Sequence, residues 1–382
     1  MKLLDRYILG KFLRIFFLCY VSLVGIFVVF DLTSNMNNFL ATNTPSQLVV
    51  QIAAYYFMHS FQFVDLIFPL LLALAALTVL SLFIRYNETI AMLAIGISPA
   101  RMVAPIIFGA LGLSILFALV REEYLPNRLF ELAKEPKEYV QRSDVAAVCR
   151  TFDNKTQISI YGDELIVSQG TLTRPRITLG RNLAQYGKKI VAQKGTYLPE
   201  DKNHPEGWLL EGVESPKELL TRPSLQDERL GQIVVYSPSD SDWLQPKETF
   251  VATKLKPINL ALGDKWLLYA ATSDMRQALK DPTFAKNTTE LAIRVHTREI
   301  RPLSDLLPLF LALPFMLMRA SKNVVVALGI GLILSGAFIG SQYVAAYVGK
   351  KANYAPIGIW APFFIFVPFA CAKFSLLMQK EY

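Results

Sequence analysis

Uncharged apolar runs constrain the fold of this chain more than any other feature. A membrane-spanning helix needs roughly 20 mostly apolar residues. Five runs supply most of that length, and they lie at residues 15–30, 66–84, 102–120, 323–349 and 352–372. Residues 302–318 form a sixth candidate, although Asp305, Pro308 and Pro314 interrupt it. Because 53% of the 382 residues are hydrophobic, which is high for a soluble protein, we expect an α-helical membrane protein with six transmembrane helices.

The chain between the third and fourth spans is long and polar. A connection of this length is a domain rather than a loop. Short runs such as TQISIYG, ELIVSQG, KKIVAQKGTYL and GQIVVYS are rich in β-forming residues, and turn-like stretches such as LPEDKNHPEG separate them. We predict an inserted all-β domain of sandwich or jelly-roll type. The predicted domains are spans one to three at 1–124, the β domain at 125–300 and spans four to six at 301–382.

Basic residues in the short loops indicate the orientation of the chain. Ten lie on one side of the membrane, namely Lys2, Arg6, Lys11, Arg14, Arg85, Arg101, Arg319, Lys322, Lys373 and Lys380. The loop at 33–50 has none, and the loop near 350 has only Lys350 and Lys351. By the positive-inside rule, both termini are cytoplasmic and the β domain is external. The net charge of +8 therefore needs no nucleic acid to explain it.

The connection between spans two and three, RYNETIAMLAIGISPARM, is helix-like and mostly apolar instead of a short polar turn. Asn87 is placed to cap a helix, and Glu88 would lie in its first turn, where a carboxylate meets the positive helix end. Gly96 can end this helix, and Ser98 followed by Pro99 suits the start of the next one. The pattern predicts a helix of about two turns, at roughly residues 87–97, lying at the cytoplasmic membrane surface.

This short helix is apolar on two faces. At 100° per residue, Ile90, Leu93 and Ala94 share one face, whereas Met92 and Ile95 lie with Glu88 on the opposite one. A helix resting on lipid should be polar on its far side. The second apolar face therefore indicates a protein groove as partner, as for the coupling helix of an ATP-driven transporter. The alternative is that residues 88–96 only pack against their own membrane helices.

Signals for a catalytic or metal site are weak. Cys19, Cys149 and Cys371 offer no disulfide framework inside the external domain. The histidines are scattered without metal-ligand spacing, so we expect no metal site. The sequence contains no G-x-x-x-x-G-K-[ST], H-E-x-x-H or G-x-S-x-G motif. We therefore predict no catalytic residues and no cofactor, and any ATP must be hydrolysed by a partner chain.

A membrane-embedded enzyme is the first rival class. Its sharpest version is an intramembrane aspartyl protease built from Asp31, Asp65 or Asp305. Such a protease needs two aspartates deep in facing helices, whereas these lie near the predicted membrane interfaces. The second rival is a permease that transmits force to an external partner without moving lipid. A cavity too narrow for acyl chains would favour it.

Several local motifs, in the order of three spans, a β domain and three spans, resemble the LptF/LptG (YjgP/YjgQ) family of lipopolysaccharide export permeases. They are LIFPLLLALAAL at 66–77, RYNETIAMLAIGIS at 85–98, EYLPNR at 123–128, HTREIRPLSDLLPLFLALP at 296–314 and APIGIWAPFFIFVP at 355–368. The strongest element is the pattern N-E-x-x-A-x-x-A-x-G-I-S, which spans residues 87–98. The resemblance covers nearly the whole chain, and the external domain matches in type more than in residues.

The resemblance implies an inner-membrane permease subunit of an ABC transporter. A second LptF/LptG-type permease would pair with it, as a hetero- or homodimer, and an LptB-type cytoplasmic ATPase would use the ATP. Lipopolysaccharide or a related glycolipid would pass to an LptC/LptA-type periplasmic β-jelly-roll bridge toward the outer membrane. The residues that the resemblance assigns to ATPase coupling are Arg85, Asn87, Glu88, Ala91, Met92, Ile95, Gly96, Ser98 and Arg101.

Spans one and five would form the gate of the lipid cavity in this family. The candidate residues are Phe27, Phe30, Asp31, Gly336, Phe338, Gly340 and Tyr343. The pair Gly336 and Gly340 forms a G-x-x-x-G motif that permits close helix approach, either within the chain or at a moving gate. Ile190 is the candidate for a lipid groove in the β domain. Family members often place a basic residue at the outer end of span one, but here FDLTSNMNNF carries Asp31 and no Lys or Arg, which weakens the case for phosphate capture there.

Overall fold

The computed structural model describes residues 3–40, 45–134, 136, 139, 144–201, 204–281, 283–284, 288–318, 324–351 and 355–379. Four residues of the loop charge count lie outside these ranges, namely Lys2, Arg319, Lys322 and Lys380. The chain divides into a helical unit, Met1–Tyr124 with Thr289–Tyr382, and a β unit, Leu125–Thr288. The sequence placed the second boundary at residue 300, but the helix before it already packs with the helical unit, because Ile293 shares a buried cluster with Ile359.

The helices follow the apolar runs but are longer. In chain order they are α1 (Leu3–Leu40), α2 (Pro45–Arg85), α3 (Glu88–Ala94), α4 (Pro99–Leu119), α5 (Leu125–Asn127), α6 (Leu129–Ala133), α7 (Pro257–Leu262), α8 (Trp266–Tyr269), α9 (Thr272–Lys280), α10 (Thr288–Ser304), α11 (Leu307–Met318), α12 (Val324–Lys351) and α13 (Ala355–Gln379). A π-helical turn, Val120–Tyr124, continues α4 into α5. A 38-residue helix such as α1 is about 57 Å long, whereas the hydrocarbon core is about 30 Å thick.

Six helical stretches in the described chain are long and apolar enough to cross a membrane. They are Leu3–Phe39, Leu48–Arg85, Pro99–Asn127, Thr288–Leu317, Val324–Lys351 and Gly358–Ser375. The predicted six-span architecture is therefore confirmed. The fourth span is shared by α10 and α11, which meet at a turn formed by Asp305 and Leu306.

Helix α2 lies at the centre of the helical unit. The ring of its Phe68 contacts Phe16 of α1 and Phe117 of α4, with ring centroids 6.2 and 4.5 Å apart. On another side, Gly331 of α12 lies so close to α11 that an added Cβ would be 3.1 Å from Cβ of Ala312. Lipid tails are as apolar as these side chains, so water exclusion does not hold such helices together. Close packing does.

The β unit contains one antiparallel sheet, which confirms the predicted inserted all-β domain. Its described strands are β1 (Val145–Ala147), β2 (Thr151–Asp153), β3 (Ile158–Tyr161), β4 (Glu164–Ile166), β5 (Thr171–Thr173), β6 (Arg176–Thr178), β7 (Lys189–Leu198), β8 (Gly207–Ser215), β9 (Leu225–Asp227), β10 (Gln232–Tyr236) and β11 (Glu248–Ala252). The main strand order is β1-β4-β5-β7-β8-β11-β10-β9, and β6, β3 and β2 branch from β7.

The long strand β7 organises this unit. One part of β7 pairs with β6 and another with β5, while β8 pairs along the opposite edge with a register shift between Val191 and Ala192. The sheet covers an apolar core that includes Trp208, whose indole N–H donates to the carbonyl of Leu255 at 2.9 Å. A buried indole needs such an acceptor because an unpaired N–H costs free energy in an apolar interior.

Candidate functional site

The short helix α3 begins where α2 ends. The N–H of Asn87 donates to the carbonyl of Ile84 at 3.1 Å, and Asn87 has a φ of 57°, in the left-handed region. Asparagine tolerates this conformation better than most residues, so it ends α2 in the way a glycine often does. Its side chain makes no capping hydrogen bond to α3. Asn87 therefore occupies the predicted N-cap position of α3, but its backbone conformation, and not a side-chain cap, defines this boundary.

The other end of α3 is closed as the sequence predicted. Gly96 has a φ of 79°, its N–H donates to the carbonyl of Leu93 at 3.0 Å, and the N–H of Ile97 donates to that of Met92 at 3.0 Å. This is the hydrogen-bond pattern of a Schellman motif. Ser98 then caps α4 by accepting from the N–H of Arg101 at 3.4 Å, with Pro99 in the first turn. Both ends of α3 are thus fixed by local backbone geometry.

One face of α3 is packed against the helical unit. Met92 is buried in the core cluster that contains α2, and Thr89 is also buried. The Glu88 carboxylate accepts from Lys11 Nζ at 2.7 Å and from Tyr7 Oη at 2.9 Å, both on α1. The sequence placed Glu88 and Met92 on the face available to a partner. Met92 is instead buried in the core, whereas the Glu88 side chain is 26% exposed and paired with α1, and Ile95, predicted on the same face, is exposed.

The outward face of α3 consists of Ile90, Ala91, Leu93, Ala94 and Ile95, all exposed. Ile90 is 64% exposed and Ile95, just after the last helical turn, is 75% exposed. Arg85 and Arg101 flank the helix and are exposed as well. Three large apolar side chains on one short helix, between two arginines, form a small surface suited to an apolar groove with an acidic rim.

On α1, two of the three cavity candidates are already engaged. The ring of Phe27 stacks on Phe63 of α2 with centroids 4.4 Å apart. Asp31 accepts a hydrogen bond from Tyr56 Oη at 2.8 Å. Phe30 differs from both, because 73% of its surface is exposed. Phe30 is therefore the cavity candidate of α1 whose side chain a lipid can reach.

On α12, the glycine face consists of Ile333, Gly336, Ala337, Gly340, Tyr343, Val344 and Tyr347, which are all exposed. Outside its own helical turn, a Cβ built on Gly336 or Gly340 meets no atom of the described residues within 4 Å. Phe338 does not belong to this face, because it is 1% exposed and its ring contacts Phe366 of α13 edge-on at 5.4 Å. The sequence wrongly grouped Phe338 with the cavity residues, since its side chain fills the interface between α12 and α13.

Ile190 points into the β unit, as its alternating strand predicted. It is fully buried in the apolar core and lies opposite Ile177 of β6. In this conformation it contacts core side chains and not an open groove.

A polar cluster inside the helical unit was not predicted from the sequence. Asp65 of α2 accepts from Arg121 Nε at 2.8 Å and from Arg301 Nη1 at 2.9 Å, and Arg301 also lies 3.6 Å from Asp305. A further pair joins Arg298 and Glu122 at 3.9 Å. The three arginines and three carboxylates balance in formal charge. Removing one member of a buried pair typically costs about 3–5 kcal/mol, so this cluster ties α2, α10 and the π-helical turn together.

This cluster also bears on the aspartyl protease alternative. Asp65 and Asp305 face arginine side chains, and Asp31 faces a tyrosine hydroxyl. An aspartyl protease dyad requires two carboxylates that share one proton. Here Arg301 contacts both Asp65 and Asp305. The arrangement is structural and does not resemble a proteolytic centre.

The family comparison agrees with these features. The model of the family described as lipopolysaccharide export system permease LptF/LptG matches residues 6–377, which is nearly the whole chain. Among curated proteins, none matches the chain at a significant level. The family match covers all six candidate spans and the β unit. The chain therefore belongs to the LptF/LptG family of lipopolysaccharide export permeases and is a transporter permease rather than an enzyme.

Proposed function

We propose that this chain is the membrane subunit of an ABC transporter that extracts lipopolysaccharide or a related glycolipid from the inner membrane. The observation that carries the proposal is the outward face of α3, an exposed apolar surface on a helix whose two ends and inner face are fixed to the helical unit. A rigidly mounted helix transfers a push to its support. A flexible loop with the same residues would absorb that push.

A cytoplasmic ATPase of the LptB type is the proposed partner of this face. The chain has no nucleotide-binding motif of its own, so the work of extraction must enter through a protein contact. Ile90, Leu93 and Ile95 fit a groove that receives an amphipathic helix. Arg85 and Arg101 add charge at the rim, where it governs the association rate more than the affinity.

The orientation follows from the loop charges. We infer that both termini and α3 are cytoplasmic and that the β unit is periplasmic, because ten basic residues lie in the loops of one side. A reporter that is active only in the periplasm should be active when fused near Gly207 and silent when fused near Gly96. Activity of the Gly96 fusion would reverse the orientation and remove α3 from the reach of a cytoplasmic ATPase.

A second permease of the same family is the proposed partner within the membrane. The exposed strip of α1 around Phe30 is assigned to the shared cavity, and the glycine face of α12 to its gate, where the two permeases approach closely. Acyl chains entering between two such subunits stay out of water, at about 0.8 kcal/mol for each CH₂ group. The β unit would then hand the lipid to a periplasmic bridge of the LptC/LptA type. Strand β9, at one end of the main strand order, is the candidate for strand addition by such a partner.

Photo-crosslinking at Phe30 tests the lipid path. A photoreactive side chain replacing Phe30 should capture glycolipid both with and without ATP, because a lipid enters the cavity sideways from the membrane leaflet. Phe364 of α13 is a matched control, since it is also an exposed phenylalanine, at 67%. There the same probe should capture bulk phospholipid. Equal glycolipid yields at both positions would mean nonselective contact and would favour the rival in which this subunit transmits force without moving lipid.

A further inference from the structure

Helix α3 is attached to α1 through one ion pair and its aromatic surroundings. Both oxygens of the Glu88 carboxylate are used, Oε1 by Lys11 Nζ at 2.7 Å and Oε2 by Tyr7 Oη at 2.9 Å. The Lys11 ammonium also lies over the rings of Tyr7 and Phe83, 4.6 and 5.0 Å from their centroids. These two rings stack with centroids 6.2 Å apart. We call Tyr7, Lys11, Phe83 and Glu88 the α1–α3 clamp.

The ion pair of the clamp is only partly open to solvent, whereas Tyr7 is 43% exposed. The side chains of Lys11 and Glu88 are 29% and 26% exposed. A charged hydrogen bond in such a setting is stronger and less screened than an exposed surface pair. The clamp also crosses between elements that are distant in sequence, since Tyr7 and Lys11 belong to α1 and Glu88 begins α3. A role limited to favourable charge at the helix end would not require a lysine and a tyrosine from another helix.

We propose that Glu88 is a transmission residue that makes α1 move with α3, rather than a residue that binds the ATPase. This inference rests on the proposed function. When the partner displaces α3, the clamp draws the attached end of α1 with it. Helix α1 runs from Leu3 to Leu40 without a proline, so it acts as a continuous lever. Phe30 lies about 28 Å along α1 from Lys11 at 1.5 Å per residue. A shift at the clamp therefore reaches the lipid-accessible part of α1.

ATPase binding and ATP-driven lipid movement respond differently to a change at Glu88, depending on which contact Glu88 makes. If Glu88 bound the ATPase, changing it would release the partner. If Glu88 holds α1, the outward face of α3 still binds the partner, but ATP hydrolysis no longer moves lipid. Glu88→Lys and Lys11→Glu each place like charges together and should break the clamp. The double variant restores an ion pair in the opposite sense.

The test uses the complete complex of permease pair and ATPase in liposomes. For each single variant we expect ATPase copurification within twofold of wild type and ATP-driven lipid release at least tenfold lower. The double variant Lys11→Glu with Glu88→Lys should recover at least half of the release. Tyr7→Phe removes only one hydrogen-bond donor and should give an intermediate loss. Arg14→Glu, an exposed charge reversal three residues further along α1, is the matched control and should release lipid normally.

Each result has a defined meaning. Loss of the ATPase from Glu88→Lys that persists in the double variant would place Glu88 at the partner surface and overturn the inference. Normal release by Lys11→Glu would also overturn it, as would a double variant that folds, binds the ATPase and stays inactive. Thermal unfolding of each variant identifies changes that act by misfolding. If the charge variants misfold, Tyr7→Phe decides: a loss of lipid release with normal ATPase binding supports the inference, and normal release overturns it. Absence of ATP-driven release in the wild-type complex would instead refute the proposed function itself.

Discussion

Ile90→Asp is expected to release the ATPase from an otherwise intact permease. Ile90 is at the centre of the outward face of α3, and its side chain contacts solvent in the isolated subunit, so the change empties no core. In a docked complex the new carboxylate would be buried without a partner. Loss of an apolar anchor at an interface centre costs about 2 kcal/mol or more, which weakens binding roughly 30-fold or more. Copurification and titration of the ATPase onto detergent-solubilised permease measure this directly.

Ile233→Asp is the matched control for this variant. Ile233 is also exposed, at 40%, but it lies on β10 of the β unit. The same change there adds the same charge at an exposed position away from α3, so the ATPase should bind normally. Equal binding by Ile90→Asp and wild type would show that the outward face of α3 is not the docking surface. A parallel loss in both variants would indicate a general defect in assembly.

The existence of α3 and the position of its C-terminal end follow from the sequence. Gly96, Ser98 and Pro99 each have local backbone roles, and local roles can be recognised from residue type and spacing. Asn87 lies at the predicted cap position, but asparagine suits both a side-chain cap and a left-handed helix stop. Which of the two it adopts depends on how α2 ends.

Which side of α3 is buried could not be derived from the sequence in the same way. A helix with apolar residues all round has no periodic signal to distinguish its buried side. Lys11 and Glu88 lie far apart in sequence, so their ion pair becomes visible only when α1 and α3 are folded together. The polar cluster around Asp65 is similar, because its arginines come from two segments that are distant in sequence. The motif at 296–314 contains Arg298, Arg301 and Asp305, but only the fold shows that this segment meets Asp65 and Arg121.

Helix α12 shows the same limit for membrane spans. In a water-soluble protein, polar residues mark the outside of a helix, but α12 carries few polar residues before its final lysines. Phe338 and Tyr343 were therefore placed together from the sequence, although one is buried against α13 and the other is exposed. The glycines gave the better signal. A residue without a Cβ is informative wherever backbones must approach closely.

Gly336→Leu combined with Gly340→Leu is expected to leave the subunit folded and to block pairing with the second permease. Outside its own helical turn, neither position has an atom of the described chain within 4 Å of an added Cβ, and both residues are exposed, so larger side chains have room there. Across a close helix interface, however, two leucines would hold the backbones several ångströms further apart than two glycines do. Most of the packing energy of such an interface is lost at that separation. We expect at least a tenfold loss of copurified partner permease, with thermal unfolding of the single subunit unchanged.

Gly358→Ala, at the contact between α13 and α12 within the subunit, is the control with the opposite expected result. An added Cβ at Gly358 would lie 2.5 Å from the backbone carbonyl oxygen of Ala345, and a backbone atom cannot rotate away. This single methyl group should therefore lower the unfolding temperature of the subunit, whereas the much larger change at Gly336 and Gly340 should not. If the double leucine variant instead unfolds early, the glycine face packs inside the subunit. If that variant is stable and still pairs normally, the partner permease binds elsewhere, and α12 does not line the shared cavity at these glycines.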